Sequence, residues 1–287
     1  MNSKITIEDR DLANQHFDKG LSFDIRGKIN DAIYEMEEAI NCDPEFAEAY
    51  NKLGDFYMKR GLLAKAAEVF QKSIELKPDV ENSHFDLGCA FAHLGRYSEA
   101  IHEFERALFL DPKHYEIYGR IGHVHLQIEM YGEAVENLKK ALVKDQGDIM
   151  ARYNLGIAFM KLSRPTDAVV QFEKVIEHYS TLVRLKDKYA EGHYYIGKCY
   201  YFLQKYEKAV DYLKKAVEYD TEAVDYHYSF GMLYSDAEAF ASLAEAQLAA
   251  GDKKAAKDNI SRALELEPEN QRFVSFQQKM FGNADGL

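Results

Sequence analysis

An offset of 34 residues aligns this chain with itself, and that period limits what it can fold into more than any other feature. At that offset DLGCAFAHLGRYSEAIHEFERALFLDP, from Asp86, falls on KLGDFYMKRGLLAKAAEVFQKSIELKP, from Lys52. A glycine recurs as Gly20, Gly54, Gly88, Gly122 and Gly156, and again as Gly197 after seven additional residues. An alanine follows twelve residues later in each case, as Ala32, Ala66, Ala100, Ala134, Ala168 and Ala209. A large residue comes next (Met36, Phe70, Phe104, Leu138, Phe172, Leu213), then a smaller one (Ala39, Ser73, Ala107, Ala141, Val175, Ala216). A chain with this period is an array of supersecondary units, each too small to bury a face alone and each stacked on its neighbours.

The residue types say what each unit is. Glycine and alanine let two helix backbones approach closely, and the Phe, Tyr and Leu positions fill the space between them. Gly27, Gly61, Gly95 and Gly251 fall where the first helix of a pair ends, a place that suits a left-handed residue. Pro44, Pro78 and Pro112 stop the second helix, because the residue before a proline is pushed out of helical conformation. The spacing therefore predicts two helices and two turns per repeat.

These residues resemble the tetratricopeptide repeat family over nearly the whole chain. The resemblance implies an all-α, right-handed α-α solenoid of about seven 34-residue helix-turn-helix repeats with a C-terminal capping helix. The repeats are placed at about 13–46, 47–80, 81–114, 115–148, 149–189, 190–223 and 224–269, so that 13–269 is solenoid. Residues 1–12 form an N-terminal segment, and 270–287 a capping helix and tail. The sequence departs from the family pattern where an aromatic usually opens the first helix: here stand His16, Tyr50, His84, Tyr118, Arg152, His193 and His227.

Two irregularities stand out. The seven extra residues lie in EHYSTLVRLKDKYAEG, about two helical turns, which predicts a longer second helix with Tyr179, Leu182 and Val183 still facing inward. In the seventh repeat the first helix has two registers, one using Gly231 and one using Ala244. Beyond it Phe273, Phe276 and Met280, at helical spacing, predict a helix that caps the last repeat.

Composition narrows the function. A net charge of −12 opposes nucleic-acid binding, which needs clustered Lys and Arg. No run of apolar residues is long enough to span a membrane and no apolar leader opens the chain, so a cytoplasmic protein without direct membrane insertion is expected. Cys42, Cys89 and Cys199 are far apart and form no CxxC, so neither a disulfide framework nor a zinc knuckle is expected. Motifs of hydrolases, metalloproteases and nucleotide-binding enzymes are absent, and no catalytic residue, metal or cofactor is expected.

Cys89 and His93 stand four residues apart on one helical face, with His123 at the position of Cys89 one repeat later. Three soft ligands could in principle converge there, but no fourth ligand or second pair accompanies them. His16, His84, His193 and His227 share one repeat position, and such recurrence points to packing. His123 and His125, two apart, face opposite sides of a helix.

What remains is protein or peptide binding. The family's groove positions, carried onto this chain, are Asn51, Asp55, Phe85, Asp86, Cys89, His93 and His123, then Tyr153, Asn154, Tyr194, Tyr195, Lys198 and Tyr201. Tyrosine offers large apolar area with a polar tip at low entropic cost, which suits a partner surface. A clamp of Lys, Asn and Arg, with which some members hold acidic chaperone tails, does not match: carboxylates such as Asp55 and Glu116 stand where cations are required. The expectation is a non-catalytic adaptor that holds a peptide or helix of a partner in its concave groove within a multiprotein assembly. The alternative is a self-assembling homo-oligomer in which a terminal helix of one copy enters the groove of another.

Overall fold

The computed structural model describes residues 5–186, 189–219 and 235–282. Among them there are only helices, and the chain falls into two compact units, Met1–Asp145 and Gln146–Leu287. The first unit contains α1 (Ile7–Ile25), α2 (Ile29–Cys42), α3 (Ala47–Lys59), α4 (Leu63–Leu76), α5 (Glu81–His93), α6 (Tyr97–Leu110), α7 (Glu116–Gln127) and α8 (Tyr131–Lys144). The second contains α9 (Ile149–Lys161), α10 (Pro165–Leu185), α11 (Ala190–Phe202), α12 (Tyr206–Glu218), α13 (Asp236–Ala249), α14 (Lys253–Leu266) and α15 (Gln271–Phe281).

Each odd-numbered helix through α13 packs on the even-numbered one that follows, and within a unit each pair packs on the next. The repeating glycine explains the closeness of the pairs. A Cβ on Gly54 would lie 2.4 Å from the Phe70 ring, and one on Gly156 2.5 Å from that of Phe172. The knob of the second helix thus sits directly on the backbone of the first, where only hydrogen leaves room. Met36, Phe104, Leu138 and Leu213 are likewise fully buried, as are the alanines four residues before them.

The turn after each first helix needs one left-handed residue. Gly95 supplies it at φ +73°, as Gly27, Gly61 and Gly251 do in their pairs. Counted on by the repeat, the same place falls on Glu129, Ser163 and Gln204, with φ of 62°, 57° and 58°. These residues adopt a conformation that costs an L-residue roughly 1–2 kcal/mol.

The irregular regions resolve in part. Helix α10 runs 21 residues from a proline in its first turn, absorbing the insertion, with Tyr179 buried and Leu182 and Val183 half-buried. Helices α13 and α14 use the Ala244 register, with Ala244, Ala256, Ile260 and Ala263 in the core; Gly231 and His227 lie outside the described residues. Helix α15 seats Phe273 in that same core beside Ala237 and Ile260, with Phe276 at its edge. Met280, expected to join them, is instead exposed, and Phe281, one residue on, packs against that core in its place. At the other end, residues 7–12 are helical rather than a separate lead-in. Helix α1 begins at Ile7 because Thr6 and Asp9 form a reciprocal capping box.

Candidate partner-binding face

In the first unit α3, α5 and α7 lie side by side and bring Asn51, Asp55, Phe85, Asp86, Cys89 and His93 to one half-buried face. The Asn51 amide donates to the Asp86 carboxylate (3.2 Å) and to Ser83 Oγ (3.4 Å). Lys52 Nζ donates to Asp55 at 2.7 Å. Burial, and then the charge of Asp55, push the Asp86 carboxyl up to about 7 against the opposing bond from Asn51. Among the described residues no cation is within ion-pair distance of Asp86. The Phe85 ring packs on His114, 5.0 Å between centroids, and carries the Arg120 guanidinium 5.6 Å from its centroid. Arg120 also donates to Glu116 at 2.9 Å.

The charge of Arg120 acts on Cys89, His93 and His123 alike. Burial and then the Arg120 charge bring both histidines down to about 4, and burial pushes the Cys89 thiol up to about 12. A fixed guanidinium among them repels a metal cation. No group of three His, Cys, Asp or Glu among the described residues has the geometry to hold one. His123 itself is only 8% exposed, and its Nδ1 meets no hydrogen-bond partner.

The recurring histidines pair across the helices instead. His16 Nδ1 lies 2.6 Å from Glu35 and His84 Nδ1 2.6 Å from Glu103, both nineteen residues apart. His84 Nε2 also reaches the Pro78 carbonyl at 3.0 Å. At the same spacing Arg152 donates to Gln171 (3.4 Å), and His193 packs on the Tyr212 ring at 5.8 Å. This position therefore ties the first helix of a pair to the second.

In the second unit the structure corrects much of the expected groove set. Tyr153 (0% exposed), Tyr194 (1%) and Tyr195 (2%) are interior, and Asn154 and Lys198 are buried with them. The Tyr153 ring meets Tyr195 edge-on at 5.5 Å, and Tyr194 meets Tyr195 at 5.1 Å. The reason is α13, which packs against the face of α11. The Tyr194 hydroxyl donates to Glu238 (3.2 Å), and Lys198 donates to Ser242 (3.2 Å) with Glu245 at 3.6 Å. Arg272 of α15 closes the chain of contacts on Glu238 at 2.5 Å. Tyr201 alone of the four tyrosines remains half-buried, tilted on Tyr206 at 5.8 Å.

Lys52, Ser83, Glu238, Ser242, Glu245 and Arg272 join these contacts without having been expected from the repeat pattern. Glu238 and Glu245 become visible once the last pair is framed on Ala244, since they then fall on the repeat positions of Glu191 and Lys198.

Stacked helix pairs with mixed polar and aromatic side chains along their first helices define a helical-repeat protein, a class generally used as protein–protein interaction scaffolds. Tetratricopeptide repeat models match residues 45–113, 85–149 with 120–177, 190–223 and 237–270, and a TPR repeat model matches 20–61. The chain belongs to the tetratricopeptide repeat family. It is similar in fold to a tetratricopeptide repeat protein from Parabacteroides merdae, with a TM-score of 0.70 at 16% identity over 95% of this chain and 100% of that one. The APC/C hetero-tetramer Cut9–Hcn1 contains a chain matched with a TM-score of 0.67 at 19% identity, over 91% of this chain and 48% of that one. MamA matches at 26% identity and a TM-score of 0.54, over 62% of this chain and 95% of that one. A comparison with curated proteins returns no match. No described helix is long and apolar enough to cross a membrane.

Proposed function

We propose that this chain is a non-catalytic adaptor that holds a peptide or helix of a partner protein along the face of its first helices, within a larger assembly. The observation that carries this reading is the α3–α5–α7 face. Asn51, Asp55, Phe85, Asp86, Cys89 and His93 are all half-buried there, reachable from outside yet held by defined contacts. Polar groups of this kind, interleaved with an aromatic ring, offer a partner both apolar area and fixed hydrogen-bond direction. In the second unit the reachable residue of the expected set is Tyr201, with Glu245 near it. Adaptors of this kind work in the cytoplasm when their partners do, and that compartment is part of the proposal.

The self-assembly alternative is weakened by α15. Its anchor Phe273 is 1% exposed within its own chain's last core, so α15 would have to be torn from that core before it could enter a second copy. The test is capture of an identified partner by wild-type protein, by Phe85→Ala/Asn51→Ala and by Tyr201→Ala, with helicity and melting temperature matched. Loss of the partner by the first variant supports the α3–α5–α7 face. Equal capture by all three would move the working surface elsewhere.

A further inference from the structure

His84 is held at both ends of its ring. From α5 its Nδ1 lies 2.6 Å from a Glu103 carboxylate oxygen of α6, and its Nε2 lies 3.0 Å from the carbonyl oxygen of Pro78, in the turn that closes the second repeat. A carbonyl oxygen only accepts, so Nε2 must carry a proton, and the bond to Glu103 needs another. A neutral imidazole beside an ionised carboxylate brings one proton to these two bonds. Both therefore exist together only when the pair holds one proton more. The two side chains are 7% and 16% exposed, which leaves water poorly placed to take over either bond.

The fifth repeat carries the same arrangement with a permanent cation. Arg152 stands at the repeat position of His84. Its Nε donates to the Gln146 carbonyl at 3.0 Å and its Nη1 to Gln171 at 3.4 Å. These acceptors lie six residues before it and nineteen after it, as Pro78 and Glu103 do for His84. A guanidinium donates in both directions whatever the pH. One repeat position is thus used twice to fasten a first helix both to its second helix and to the preceding turn. His16 shares the carboxylate contact, with Glu35, but six residues before it the chain is already helical and offers no such turn.

Among the described residues Glu103 is the ion-pair partner of His84, and charged groups on the surrounding helices are engaged elsewhere. Lys52 of α3 is held by Asp55, Lys72 of α4 by Glu75 and Arg120 of α7 by Glu116. On α5 itself Glu81 pairs with His114, and Asp86 accepts from Asn51.

We propose that His84 is a proton-operated latch between the second and third repeats. With the extra proton, α5 is fastened to α6 and to the Pro78 turn at once. When that proton leaves, one bond is lost and a ring lone pair is set against an oxygen. The same junction is crossed by Asn51 on its way to Ser83 and Asp86, so the seating of α5 beside α3 follows pH. Imidazole changes charge between about pH 5 and 8, and the latch is fastened toward the acid end of that range.

The test compares the full chain with His84→Arg/Glu103→Gln, which puts the Arg152 and Gln171 pair into the third repeat and is expected to fold for that reason. Nitrogen-15 spectra of histidine-labelled protein, with His84 assigned by its loss in the variant, should show protons on both ring nitrogens at the acid end and on one at the alkaline end. Amide exchange in α5 is read as the ratio of wild type to variant, so that intrinsic exchange and the other titrating groups cancel. That ratio should rise by at least about threefold from the acid to the alkaline end, the effect of one ordinary hydrogen bond. Glu103→Gln alone gives a second reference: its amide can donate to Nδ1 while Nε2 donates to Pro78, so both bonds survive on a neutral ring. A ratio that stays constant against either variant would overturn the proposal, and so would a ring with one proton throughout.

Discussion

Replacing Gly54 by alanine tests the packing rule on which every pair in this protein depends. The added Cβ would lie 2.4, 2.6 and 2.7 Å from three atoms of the Phe70 ring, where 3.4 Å is ordinary contact. Phe70 is 1% exposed and has no outward escape. Overpacking of this size costs up to ~3 kcal/mol, while alanine returns about 1 kcal/mol of helix propensity. The net loss should be about 2 kcal/mol. The last pair shows how the conflict is solved naturally: there Ala244 faces Ile260, sixteen residues on, and both are buried. Phe70→Ile alone should cost about 1–2 kcal/mol by leaving a cavity. The double variant Gly54→Ala/Phe70→Ile should be no less stable than Phe70→Ile, which makes the coupling about 2 kcal/mol of favourable sign. Urea unfolding followed by circular dichroism measures all four corners, with a nearest-neighbour repeat analysis because arrays need not unfold in one step. Single effects that add within ~0.5 kcal/mol would refute the idea that glycine is present because the knob occupies its side-chain space.

Three further outcomes are expected. Glu129→Gly, Ser163→Gly and Gln204→Gly should each stabilise the protein by ~0.5–1 kcal/mol, because their backbones already take the left-handed form; Gly95→Ala should move the opposite way, and chemical denaturation reads both. Asp86 is held protonated by the fold up to about 7, so the folded chain binds the extra proton between about 4 and 7 and loses stability as pH rises through that window. Asp86→Asn should therefore raise the melting temperature at pH 8 and leave it nearly unchanged at pH 4, and a constant difference across that range would refute the assignment. Phe273→Ala should cost about 3–5 kcal/mol locally, seen as faster hydrogen exchange in α13–α15 with α3–α6 unaffected.

The packing between helices was legible because its determinants are short-range and repeat. A glycine, an alanine and a knob at fixed offsets are enough to name both helices of a pair and the contact between them. The three left-handed turns at Glu129, Ser163 and Gln204 carry no such marker, since ordinary residues take the strained conformation; only counting on from Gly95 locates them. The functional face was legible as a set of positions but not as depths. Whether a side chain at a groove position is reachable depends on how closely the next first helix approaches, and nothing in Tyr194 or Lys198 states that Glu238 and Ser242 will cover them. The last pair resisted because Gly231 and Ala244 compete as the small residue. Ala244 is fixed by Ala256 and Ile260 further along the chain.

Helix α10 carries a consequence outside binding altogether. If the chain is drawn out from its ends, pairs should release one after another, each yielding a length set by its own residue count, at roughly 3.3–3.6 Å per residue. The pairs before α9 and the pair α11–α12 would give steps of one size class, but the pair built on α10 holds seven extra residues and should give a step longer by about 25 Å. The insertion is thus a length mark written into the array, by which a force–extension record could tell when α9 and α10 come apart.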